Sequence, residues 1–236
     1  MGQRQIDYSD GTTGMSGILV TPDSGRPVPG VLVAHDWTGR NDFALNVATQ
    51  LAELGYAAFA MDMYGNAQTA DTVEGKAALM APLKENRGLL MQRVNAAFNT
   101  MIDQPEVDRG RTGAVGFCFG GLVVLDLARS GASVGGVVSF HGFLDAPEQA
   151  LCKPITAQVL ALHGYQDPMV PPAVLPVFEA EMANAGVDFQ LHIYGRAVHA
   201  FTNPHANDPS FGTVYDDVTR NRAFRTMQGF FADLFG

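Results

Sequence analysis

Short, continuously apolar runs alternate along this chain with longer stretches in which apolar positions recur every three or four residues. The first pattern predicts strands covered on both faces, and the second predicts amphipathic helices packed over them. Val31-Leu32-Val33-Ala34, following the Pro29-Gly30 turn, reads as such a strand. Residues 57–61, 111–117, 134–140, 159–163 and 189–194 repeat the pattern, and 5–8 and 17–20 read as antiparallel edge strands. Between them, Asn41 and Asp42 are placed to cap a helix through Leu54 that Gly55 ends. Helical spacing recurs at 73–80 and 85–101, separated by Pro82, then at 119–130, at 173–185 before Gly186, and over the tail 214–234. This alternation defines an α/β protein with a mostly parallel sheet and helices on both faces. No stretch rich in Pro, Gly or Ser divides the 236 residues, so one domain over 1–236 is expected.

Composition narrows the function more than the fold. Apolar residues make up 47% and charged residues 17%, enough for a sizeable core and unlike a disordered chain. A formal net charge of −9 lacks the basic footprint of a nucleic-acid or anionic-membrane binder, so neither partner is expected. Two cysteines cannot build a disulfide framework, and the first ten residues carry no apolar signal core. With no apolar run near the ~18 residues of a membrane span, a cytoplasmic protein is expected. No heptad or spare apolar helix face argues for assembly, so a monomer is expected. No G-x-G-x-x-G, HExxH or CxxC spacing is present, so neither cofactor nor metal is expected.

The chemistry concentrates at Gly116-Phe117-Cys118-Phe119-Gly120-Gly121, on a strand-to-helix junction. Small residues two positions either side of Cys118 give the form of a nucleophile elbow, with Cys in place of the usual Ser. The turn is too tight for side chains at Gly116 or Gly120, and the helix N-terminus beyond it favours a thiolate. Taken alone, Cys118 could equally be a buried cysteine in a packing turn. A nucleophile needs a base, and the base needs an orienter, in the chain order nucleophile, acid, histidine. Asp167, in Leu162-His163-Gly164-Tyr165-Gln166-Asp167-Pro168, and His199, in Tyr194-Gly195-Arg196-Ala197-Val198-His199, each sit in a loop after a predicted strand and supply that order. His141 and His163 read as loop-orienting histidines, and Cys152 as structural.

With these motifs the sequence resembles the dienelactone hydrolase family of α/β-hydrolases from Pro29 to the final helix. His35-Asp36-Trp37, the Gly116–Gly121 elbow, Ser139-Phe140-His141-Gly142, the 163–167 segment and His199-Ala200-Phe201 carry the resemblance. It implies the α/β-hydrolase fold, with Cys118 as nucleophile, His199 as general base and acid, and Asp167 as orienter. It also implies an oxyanion hole from the main-chain N–H groups of Trp37 and Phe119. The expected reaction is hydrolysis of a carboxylic ester or lactone through a thioester.

Two positions depart from the family pattern. Asp36 stands where the family carries a Glu that controls the thiol proton; one methylene shorter, it is open to that role or to capping its own loop. Asn203 stands where the family carries an Arg that pairs with the substrate carboxylate, and Arg87 or Arg196 would have to supply a cation instead. Loss of a bidentate clamp points to neutral, activated substrates. Trp37, Tyr64, Phe143 and Phe201, with Asn203, are the candidate pocket residues. Two rival functions are a neutral phosphotriester hydrolase on the same thiolate and a non-catalytic thiol sensor or binding module, the latter needing neither Asp167 nor an oxyanion hole.

Overall fold

The computed structural model describes residues 1–236. In chain order its elements are β1 (Gly2–Ser9), β2 (Gly14–Thr21), β3 (Val28–Ala34), α1 (Asp42–Glu53), β4 (Ala57–Ala60), α2 (Val73–Glu85) and α3 (Arg87–Ile102). They continue as β5 (Val107–Phe117), α4 (Phe119–Arg129), β6 (Gly136–Phe140), β7 (Gln158–Gly164), α5 (Leu175–Asn184) and β8 (Phe189–Tyr194). Two short strands, β9 (Asn207–Asp208) and β10 (Thr213–Val214), precede the final helix α6 (Asp217–Phe235).

The first eight strands form one sheet in the order β1-β2-β4-β3-β5-β6-β7-β8. β1 and β2 are antiparallel, as is the β2–β4 pair, and all remaining pairs are parallel. Continuous apolar runs follow from this arrangement, because alternate side chains of each inner strand enter different cores. Val31 and Val33 of β3, and Val138 and Phe140 of β6, face α1 and α6. Leu32, Ala34 and Val137 face the other layer, built from α3, α4 and α5. β3 lies between β4 and β5, so the winding reverses there and a crevice opens at the C-terminal strand ends.

Local chemistry moves several predicted boundaries. Pro82 does not separate two helices; it lies inside α2, and the break falls at Asn86, whose side chain caps α3 by accepting the Leu89 N–H at 3.0 Å. The tail helix begins at Asp217 rather than at Val214, because Asp216 accepts the Thr219 N–H at 2.6 Å and Val214 pairs in β10. β6 starts at Gly136, β5 starts earlier than expected at Val107, and 172–174 is a separate 3₁₀ turn before α5. No helix is long and apolar enough to cross a membrane.

Candidate active site

The junction of β5 and α4 holds Cys118 at φ +54°, ψ −115°, a left-handed conformation that non-glycine residues seldom adopt. Its N–H donates to the Phe140 carbonyl at 3.0 Å and to His141 Nδ1 at 3.2 Å, which hold the turn from the β6 side. A Cβ on Gly116 would overlap the Gly120 carbonyl, and one on Gly120 would overlap the carbonyls of Ala34 and His35. The elbow is thus wedged against the end of β3. The sulfur-bearing residue is 7% exposed and lies in the wall of a cleft of about 1180 Å³.

Asp167, in the turn after β7, is 1% exposed. Its Oδ1 accepts the N–H groups of Met169 at 2.8 Å and Val170 at 3.2 Å, and its Oδ2 accepts His199 Nδ1 at 2.8 Å. The main chain of His199 is pinned by Gly212 and Val214, at 3.1 and 3.2 Å, and Ala200 at φ +56° turns the chain away behind it. His199 Nε2 is buried beside the Cys118 sulfur, without an aligned hydrogen bond to any group. Burial works against charge on this ring, but the Cys118 thiolate and the Asp167 carboxylate outweigh it and push the imidazole up to about 10.

The main-chain N–H groups of Trp37, after β3, and of Phe119, first in α4, donate to no protein acceptor. Asp36 lines the cleft, but its Oδ1 accepts the Thr38 N–H at 2.8 Å and makes no hydrogen bond to the thiol. Of the two roles open to Asp36, loop capping is the one its hydrogen bond serves. Trp37, Phe143 and Asn203 line the cleft as expected. Tyr64 and Phe201 do not. Tyr64 is turned inward, its hydroxyl donating to the Trp37 carbonyl at 3.0 Å and its ring stacked on Phe119. Phe201 is fully buried against His141 and Tyr194.

Neither expected substitute cation reaches the cleft. Arg87 is paired with Asp126 and Asp145 between α3, α4 and the loop after β6, and Arg196 lies beside a different, smaller hollow near α6. The cleft instead contains Arg40 and Lys76 against Asp36, Asp42, Asp71 and Asp208. Phe211, which stacks on Trp37 at 5.7 Å, was invisible in the sequence because it comes from an irregular loop with no period. His141 ties the elbow to the His199 loop through Thr202 Oγ1 at 2.8 Å, and His163 Nε2 donates at 2.9 Å to the carbonyl of Val170, three residues after Asp167 in the chain. His35, Asp36, His163, Asp167 and His199 do not gather into a group that could hold a metal ion.

A mostly parallel eight-stranded sheet, with the elbow after β5 and the acid and histidine loops after β7 and β8, is the α/β-hydrolase fold. The chain belongs to the dienelactone hydrolase family, whose family model matches residues 15–235, and it is a hydrolase of that kind. It is 38% identical to the solved structure of m3DLH, with a TM-score of 0.95 over 100% of this chain and 99% of that one. It is 37% identical to a dienelactone hydrolase-like promiscuous phosphotriesterase from metagenomic libraries, with a TM-score of 0.94 and the same coverage. Protein usf of Aquifex pyrophilus is 27% identical over 99% of both chains.

Proposed function

We propose that the protein hydrolyses neutral, activated carboxylic esters or lactones with Cys118 as nucleophile, His199 as acid and base, and Asp167 as orienter. The observation that carries this reading is the His199–Asp167 contact at 2.8 Å, with His199 Nε2 otherwise unpartnered beside the thiol of a strained elbow. The Cys118 thiolate adds to the acyl carbon, forming a C–S bond while the carbonyl electrons move onto oxygen. The free N–H groups of Trp37 and Phe119 receive that oxyanion. As the C–O bond to the leaving group breaks, imidazolium His199 gives the alkoxide its proton. Neutral His199 then takes a proton from water, whose oxygen attacks the thioester and expels the thiolate.

Preference for neutral substrates is supported by the charges of the cleft. Asn203 provides no cation, and four aspartates outnumber Arg40 and Lys76. The aromatic walls Trp37, Phe143 and Phe211 suit aryl or short-chain esters. A second reading, neutral phosphotriester hydrolysis, is favoured by the similarity to a promiscuous phosphotriesterase. There the thiolate would attack phosphorus and displace an aryloxide that takes its proton from His199, and water would then cleave the S–P bond and release the thiolate.

The test is multiple-turnover hydrolysis of p-nitrophenyl acetate, butyrate, an anionic ester and a neutral phosphotriester by wild type and Cys118→Ala. Turnover of the neutral esters by wild type alone is expected. Equal activity of both proteins would remove Cys118 as nucleophile. Inertness of both, with reversible oxidation of Cys118, would favour a thiol sensor.

A further inference from the structure

His35 is 1% exposed and has no part in the reaction as proposed above. Its Nε2 accepts the main-chain N–H of Met63 at 3.1 Å. An amide N–H can only donate, so the ring proton sits on Nδ1. From there it donates to the carbonyl of Asp36 at 2.6 Å. That carbonyl and the N–H of Trp37 are the two ends of one planar peptide group.

We propose that His35 is a positioning residue for the oxyanion hole, fixing the plane of the 36–37 peptide and polarising it so that Trp37 N–H is a stronger donor. The proposal rests on the reading of Trp37 N–H as an oxyanion donor. Electron density drawn toward the hydrogen-bonded oxygen leaves the N–H of the same peptide more positive, the ordinary cooperativity of linked hydrogen bonds. The other donor shows why a side chain is needed here. The peptide carrying Phe119 N–H has its oxygen, that of Cys118, bound by the Gly121 N–H at 3.0 Å within the first turn of α4. The 36–37 peptide lies in a loop and has no helix behind it. Apart from His35, its oxygen receives only the Gly39 N–H, at 3.3 Å. Tyr64 completes the support, with its ring edge against His35 at 4.8 Å and its hydroxyl on the Trp37 carbonyl. Burial keeps the imidazole of His35 below its usual pKa, so the Nε2 lone pair stays available to Met63.

Two substitutions separate the halves of this contact. His35→Asn keeps a donor near Nδ1 and gives up the tie to Met63; His35→Gln keeps an acceptor near Nε2 and gives up the donor to Asp36. Loss of a whole oxyanion donor costs about 10²–10³ in rate, and a loosened donor costs less. On p-nitrophenyl butyrate, His35→Gln is expected to lower kcat about tenfold with KM unchanged, and His35→Asn to restore most of that loss, with melting temperatures alike. Alkylation of Cys118 by iodoacetamide, in which sulfur displaces iodide from a saturated carbon and no oxyanion forms, should proceed at the same rate in all three proteins. Equal impairment of both variants, a loss confined to KM, alkylation slowed in step with turnover, or no loss in His35→Gln would each overturn the proposal. Wild-type turnover that survives Cys118→Ala would instead remove the reading beneath it and the proposal with it.

Discussion

Asp167→Asn is the sharpest perturbation of the site, because the substitution changes charge while leaving shape. Oδ1 can keep accepting the N–H groups of Met169 and Val170, so the turn after β7 is retained. The altered contact is the 2.8 Å one to His199 Nδ1. Unit charges at that distance attract by roughly 6 kcal/mol at an effective dielectric of about 20. Both partners are almost fully buried, so screening by water removes little of it. An amide dipole replaces part of the attraction, and removal of one partner of a buried pair costs about 3–5 kcal/mol. At about 1.4 kcal/mol per factor of ten, kcat should fall by roughly 10²–10⁴. The amide also offers an N–H to Nδ1, which drives the ring proton to Nε2 and away from the base role. The assay is steady-state hydrolysis of p-nitrophenyl butyrate from pH 5 to 10.5, with thermal melting to verify the fold. In wild type the alkaline limb should fall near His199's value of about 10, and in the variant at lower pH, because only the thiolate still holds the imidazolium. A variant with kcat within fivefold of wild type, or with the alkaline limb unmoved, would refute the coupling of Asp167 to His199.

Asn203→Arg adds a cation four residues after His199 and should raise kcat/KM for an anionic ester about tenfold or more relative to its neutral counterpart, measured as the ratio of the two rates. Gly116→Ala places a methyl group inside the Gly120 carbonyl, and a loss of about 4 kcal/mol or more is expected, read from a denaturant midpoint. The raised pKa of His199 sets a sign for stability: its contribution is complete below the unfolded value near 6.5 and disappears as pH rises through about 10. Melting curves of wild type and His199→Gln should therefore draw together across that interval, and a gap that stays constant would count against the charged pair.

The triad candidates were legible because backbone constraints betray them. Gly116 and Gly120 mark a turn that no other residue fits, and strand order then brings Asp167 and His199 to the same sheet edge. Side-chain direction was not legible. Phe201 stands two residues from His199, yet the positive φ of Ala200 turns it into the core, against His141. Tyr64 follows β4 toward the cleft but spends its hydroxyl on the Trp37 carbonyl and its ring face on Phe119. Phe211 failed to register for the opposite reason: its contact with Trp37 joins positions far apart in sequence through a loop without periodicity. Pro82 misled because a proline was read as a break where Asn86, as a cap, was the stronger signal.

The four histidines around the site differ in how their surroundings treat a proton, which the sequence does not show. Burial lowers the pKa of His35, His141 and His163. Two of these rings have a lone pair committed to a main-chain N–H, His35 to Met63 and His141 to Cys118, which a second ring proton would displace. His141, whose ring lies 5.2 Å from that of His199, is lowered further by the charge of His199. Burial opposes charge on His199 as well, but its neighbours Cys118 and Asp167 outweigh burial and raise its pKa. The contrast comes from the neighbours: of the four rings only that of His199, between Cys118 and Asp167, has its pKa raised. On the proposed mechanism a second charged histidine would compete for the sulfur and repel His199, so the neutrality of the other three would keep the proton on His199 available to the leaving group.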